Sequence, residues 1–66
     1  MKEYLTLNGL KMEIIDTHSI FILAVHDCDY IILRRDASHE YTVMQNLHDN
    51  VDLALREFNR IIQQIQ

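Results

Sequence analysis

Two stretches of the chain, Ile20-Phe21-Ile22-Leu23-Ala24-Val25 and Tyr30-Ile31-Ile32-Leu33, are apolar at every position. A strand directs alternate side chains to opposite faces, so runs of this kind place apolar groups on both sides of a sheet. Their β-branched and aromatic content, with the polar break His26-Asp27-Cys28-Asp29 between them, predicts a central hairpin. Upstream, Leu5 and Leu7 alternate with Tyr4 and Thr6, and Leu10-Lys11-Met12-Glu13-Ile14 alternates as a half-buried strand does. Asn8-Gly9 lies between these segments, and a type I′ turn needs positive φ at both of its central residues. A first hairpin of 3–7 with 10–15 is therefore expected. Asp16-Thr17-His18-Ser19 reads as the turn that separates the two hairpins.

Asp36-Ala37-Ser38-His39 forms a further polar break. Residues 40–44 fit two patterns. Met44, Leu47, Val51, Leu55 and Phe58 have a helical spacing that allows a helix from Ser38. Tyr41-Thr42-Val43 in succession lowers helix propensity, however, and favours a strand. Asp49, with Asp52 three residues on, resembles a helix start. From about 50 to 65, Val51, Ala54, Leu55, Phe58, Ile61, Ile62 and Ile65 share one stripe, with polar side chains largely opposite, as in an amphipathic helix. Asp52 and Arg56 stand four apart in the order that favours pairing. Leu53 falls off the stripe, as a contact point with another chain would.

These elements make an α+β fold: an antiparallel β-meander of four to five short strands followed by one C-terminal amphipathic helix packed on one sheet face, with residues 1–66 as a single small domain. One helix shields one side of a sheet. The other side, expected to present Phe21, Leu23, Val25, Ile31 and Leu33, then needs a second copy of the chain or closure of the sheet into a small barrel. Burying each such side chain contributes roughly 1.5–3 kcal/mol, and the set rivals the roughly 5–15 kcal/mol that holds an ordinary domain together. Self-association into a homodimer is the expectation that follows.

Composition adds bounds. The 66 residues are 48% apolar, contain no proline and one glycine, and carry ten acidic against six basic side chains, a net charge of −4. That balance disfavours a nucleic-acid-binding surface, which needs a clustered basic field. A single cysteine excludes an internal disulfide. No run approaches the roughly 18–20 apolar residues that cross a bilayer, and Met1-Lys2-Glu3-Tyr4 has no signal-peptide core, so a cytoplasmic protein without a membrane partner is expected.

Candidate chemistry is sparse. His26 and Cys28 are the one pair with metal-ligand flavour, but zinc needs four converging ligands. His18 and His39 belong to turns at the opposite end of an antiparallel meander, which works against convergence. No setting activates Cys28, Ser19 or Ser38 as a nucleophile, and one glycine builds no phosphate-cradling loop. Arg34-Arg35, with Lys11, Arg56 and Arg60, suggests an anion patch, yet adjacent strand residues point to opposite faces unless they lie at the strand's end. The expected function is a small non-catalytic protein-interaction module, a homodimeric accessory or regulatory protein that binds another protein and needs no cofactor. Alternatives are an acidic inhibitor that imitates nucleic acid, and a ligand- or metal-binding sensor built on the His26-Cys28 turn.

Overall fold

Each reversal between successive strands rests on a residue with positive φ. In the computed structural model, which describes residues 1–64, the strands are β1 (Glu3–Leu7), β2 (Leu10–His18), β3 (Phe21–His26), β4 (Asp29–Arg35) and β5 (Tyr41–Asn46). They form one antiparallel sheet in the order β1-β2-β3-β4-β5, and helix α1 (Val51–Gln64) follows. Asn8 and Gly9 both have positive φ, 52° and 81°, as the Asn-Gly signal requires. Ser19, Asp27 and His39 supply the left-handed residue in the later connections. The α+β meander with a C-terminal helix on its sheet is thus the fold of the chain.

Two boundaries differ from expectation. Asp16, Thr17 and His18 continue β2 instead of turning, and the reversal falls on Ser19-Ile20. A bulge makes this extension possible: Ile14 pairs with Ala24 and Asp16 with Leu23, leaving Ile15 as the extra residue. The expected four-residue break at 26–29 also shortens, because His26 and Asp29 pair across a turn of only Asp27 and Cys28. Residues 40–44 do form a strand, which runs from Tyr41 to Asn46.

Register assigns the apolar runs to faces. Leu23 pairs with Ile32 and Val25 with Tyr30, so these share one face with Phe21. Ala24 pairs with Ile31 and Ile22 with Leu33 on the other. The first set packs beneath the helix, where Phe21, Leu23 and Ile32 meet Ala54, Phe58 and Ile61. The second set forms a separate cluster: Leu5, Met12, Ile22, Ala24, Ile31 and Leu33, with Leu7, Ile14 and Tyr41 packed against it. Among the described residues no helix covers this second face, yet Leu33 and Ala24 are 0% exposed and Met12 2%.

Curvature of the sheet supplies the cover. In a flat sheet with strands about 4.8 Å apart, β1 and β5 would be separated by roughly 19 Å. Here Glu3 of β1 and Tyr41 of β5 line one cleft, together with Ile14, Ile22 and Arg35, so the two edges lean toward each other over the concave face. Bulges bend a strand and increase its twist. The chain has one at Ile15 and another in β5, where Ile32 pairs with Gln45, Leu33 with Val43, and Met44 is extra. β1 and β5 do not pair, so the curl stops short of a closed barrel.

This arrangement corrects the expected self-association face. Phe21 and Leu23 lie under the helix, Ile31 and Leu33 belong to the concave cluster, and Val25 is half-buried on the helix side. The five residues share no common surface, because β3 and β4 are paired with Leu23 opposite Ile32 and not opposite Ile31 or Leu33.

The helix starts one residue later than the Asp49 signal implies. Asn50 is the cap: its Oδ1 accepts the Leu53 N–H at 3.0 Å, and its carbonyl accepts the Ala54 N–H at 3.0 Å. Of the apolar stripe, Ala54, Phe58 and Ile61 are buried, Ile62 is half-buried, and Val51 and Leu55 are exposed. Leu53 is half-buried, and Ile65 lies outside the described residues. Among the described residues the helical ion pair is Glu57–Arg60 at 2.6 Å, not Asp52–Arg56. Glu57 also accepts a hydrogen bond from Gln45 Nε2 at 3.2 Å, which ties the helix to β5.

Candidate functional site

The meander sends its connections to two ends, and their chemistry differs. At one end lie Asn8-Gly9 and Asp27-Cys28; at the other lie Ser19-Ile20 and the loop of residues 36–40. The first end holds His26 and Cys28, the pair with metal-ligand chemistry. His26 Nδ1 is 3.0 Å from the Lys11 carbonyl oxygen and its Nε2 is 3.7 Å from Asp27, while Cys28 is exposed in the turn. His18 and His39 are at the far end, as antiparallel topology dictates. Among the described residues no three His, Cys, Asp or Glu side chains gather at one point. Lys11 lies 4.4 Å from the centre of the Tyr4 ring, a cation–π contact on the outer face of the first hairpin.

The far end is more organised. Asp36 holds its loop: its Oδ1 accepts the Ser38 N–H at 2.9 Å, the Ser38 hydroxyl at 2.7 Å and the Glu40 N–H at 3.0 Å. The Asp36 N–H donates to the Glu40 carbonyl at 2.9 Å and the His39 N–H to the Asp36 carbonyl at 3.0 Å. These donors favour the ionised carboxylate, so the Ser38 hydroxyl first, with the Glu40 amide, holds the Asp36 carboxyl below its ordinary value. Arg34 and Arg35 close the end of β4, and the Arg35 N–H donates to the Ile20 carbonyl at 2.8 Å.

Both arginines line one depression of about 500 Å³, with Ile20, Asp36, Ala37 and His39. Strand alternation still holds there: Arg34, opposite Phe21, lies on the helix face and Arg35, opposite Tyr41, on the concave face, so the two border the depression from different sides. Lys11 stands at the opposite end and Arg60 is bound to Glu57, so neither joins the pair. A second cleft of about 330 Å³ adjoins the first through Ile20 and Arg35 and opens onto the concave face between Glu3, Thr17, Ser19 and Tyr41.

A third surface is the edge of β5. The sequence Tyr41-Thr42-Val43-Met44-Gln45-Asn46 carries no charge and no proline, and the strand has a neighbour on one side only. Val43 is 47% and Met44 42% exposed. The other edge, β1, begins with Glu3 directly after Lys2, which sits 3.7 Å from Glu13. Proteins commonly guard free strand edges with charge, proline or bulges, and β5 has only the bulge. That Val43 and Met44 lie at an edge is not visible along the chain, because a strand's place in the sheet is set by pairing. The uncharged six-residue run was the available signal.

Comparison of the chain with protein families, with curated proteins and with solved structures finds no match. Among the described residues no helix is long and apolar enough to cross a membrane.

Proposed function

We propose that the chain is a small non-catalytic interaction module that forms a homodimer by antiparallel pairing of two β5 edges and, in that form, binds and regulates another protein. One observation carries the proposal: β5 is an unpaired, uncharged edge with Val43 and Met44 exposed on it. Antiparallel pairing of one strand with its own copy satisfies a two-fold axis, the commonest symmetry of small oligomers. It also satisfies backbone N–H and C=O groups that the monomer leaves to water.

The non-catalytic part has its own support. Asp36 and Glu57, the carboxyls displaced from their ordinary values, are committed to loop and helix hydrogen bonds and not aimed at a reacting group. A reducing cytoplasm suits a chain whose only cysteine is an exposed thiol. A nucleic-acid mimic has less support, since Glu13, Asp36 and Glu57 already have partners within the molecule.

Sedimentation at tens of micromolar tests the edge. The wild-type chain is expected to sediment as a dimer and Val43→Lys as a monomer with unchanged far-ultraviolet circular dichroism. A monomeric wild-type chain, or a Val43→Lys variant that stays dimeric, refutes pairing through β5.

A further inference from the structure

We infer that the cleft on the concave face is a binding site for a small zwitterion, its amine end held by Glu3, its carboxylate end by Arg35 and its hydrocarbon middle resting on Ile14 and Ile22. Register is the first support. Glu3 pairs with Ile14 and Thr17 with Ile22, which places all four on the concave face. Arg35 stands two residues beyond Leu33 and pairs with Tyr41, so it joins the same face, while Arg34 belongs to the other. In a flat sheet β1 and β4 would lie roughly 14 Å apart. The curl brings Glu3 and Arg35 to the border of one cleft of about 330 Å³, at the small end of the range for ligand pockets.

Uncommitted charge is the second support. Among the described residues neither Glu3 nor Arg35 has an ion-pair partner. Their neighbours in sequence are engaged elsewhere: Lys2 pairs with Glu13 on the helix side, and the Asp36 Oδ1 accepts three donors of its own loop. Each wall of the cleft therefore keeps its charge for a ligand, and the two charges select jointly. A simple anion drawn to Arg35 meets Glu3 as a like charge, and a simple cation drawn to Glu3 meets Arg35. A molecule with both charges, held apart by a short chain, satisfies both walls. The hydroxyls of Thr17, Ser19 and half-buried Tyr41 border the same cleft and offer hydrogen bonds.

Amide chemical-shift titration of the whole chain tests the cleft, with 4-aminobutanoate and 6-aminohexanoate as zwitterions of two lengths and the corresponding alkanoates and alkylamines as single charges. At least one zwitterion is expected to give saturable shifts in the millimolar range at Ile14, Thr17, Ser19 and Tyr41, as befits a ligand of few atoms. Glu3→Gln and Arg35→Gln should each weaken it roughly threefold to tenfold, while Arg34→Gln, on the other face, leaves it unchanged. No saturable shift at these amides with either zwitterion overturns the site. Equal binding of the alkanoate removes the role of Glu3, equal binding of the alkylamine removes that of Arg35, and either refutes the proposal. A loss in Arg34→Gln as large as in Arg35→Gln would reduce the effect to net charge and also refute it. The cleft lies within one chain, so failure here leaves the β5 edge standing and the reverse.

Discussion

The two faces of the sheet are equally apolar at their centre but are buried by different means. On the convex side a helix lays Ala54, Phe58 and Ile61 over Phe21, Leu23 and Ile32. On the concave side the sheet covers itself: Leu5 and Met12 of the first hairpin and Tyr41 of β5 close over Ile22, Ala24, Ile31 and Leu33. The lesson is that an uncovered apolar face does not by itself demand a second molecule. A sheet of five strands with two bulges bends far enough to dry one of its own faces. What the bend cannot remove is the pair of free edges, and so the surplus of sticky surface moves from the faces to β5.

Truncation of a central side chain from each face gives the largest effects and tests the equivalence directly. Phe58→Ala should cost about 3–5 kcal/mol and Leu33→Ala about 2–5 kcal/mol, because both side chains are essentially fully buried. Urea unfolding at two low protein concentrations, tenfold apart, checks them. If the loss in Leu33→Ala depended on concentration there, the concave face would need a second copy after all.

Smaller changes loosen one cover and spare the other. Gly9→Ala places a side chain at φ +81°, where open space surrounds it but the backbone conformation is unfavourable, at about 1–2 kcal/mol. The damage should localise to the hairpin that carries Leu5 and Met12 over the concave face, visible as faster hydrogen exchange in β1 with helix protection kept. Asn50→Ala removes the helix cap and should cost about 1 kcal/mol. Exchange should then quicken in the first helical turn and not in β1. If both variants frayed both regions alike, the two covers would be one cooperative unit.

Acid sharpens the comparison least but reaches the elements that join the faces. Asp36 is held low by the Ser38 hydroxyl and the Glu40 amide, and Glu57 by Arg60 first and then Gln45. A carboxyl depressed in the folded state contributes stability that is complete above its unfolded pKa and is lost as pH falls through its folded value. Stability should therefore hold through neutral pH and fall on acidification below the ordinary carboxylate range, about pH 4. Asp36→Asn should flatten that acid limb, measured as the melting temperature against pH. An unchanged slope would mean the loop bonds do not distinguish the ionised carboxylate.

Much of the fold was legible along the chain because its signals are local. Asn8-Gly9 names its turn by backbone preference alone, and Tyr41-Thr42-Val43 favours strand through χ1 restriction. The spacing of Ala54, Phe58 and Ile61 marks a helix face before any partner is known. The candidate site was less legible. Arg34 and Arg35 border one hollow from opposite faces of β4, beside a loop organised by Asp36, and that neighbourhood exists only once the strands are paired. The bulge at Ile15 was likewise hidden, since it appears only when β2 is paired with β3 and shifts the turn from Asp16–Ser19 to Ser19-Ile20.

The order of side chains by itself determined the elements, their antiparallel sequence and the presence of two apolar sheet faces, because propensity, turn chemistry and periodicity act over a few residues. Which residues share a face, which face the helix takes and how the other is dried were decided by pairing register and sheet curvature. Those depend on contacts between residues far apart in the chain, such as Leu23 with Ile32 and Glu3 beside Tyr41 across one cleft.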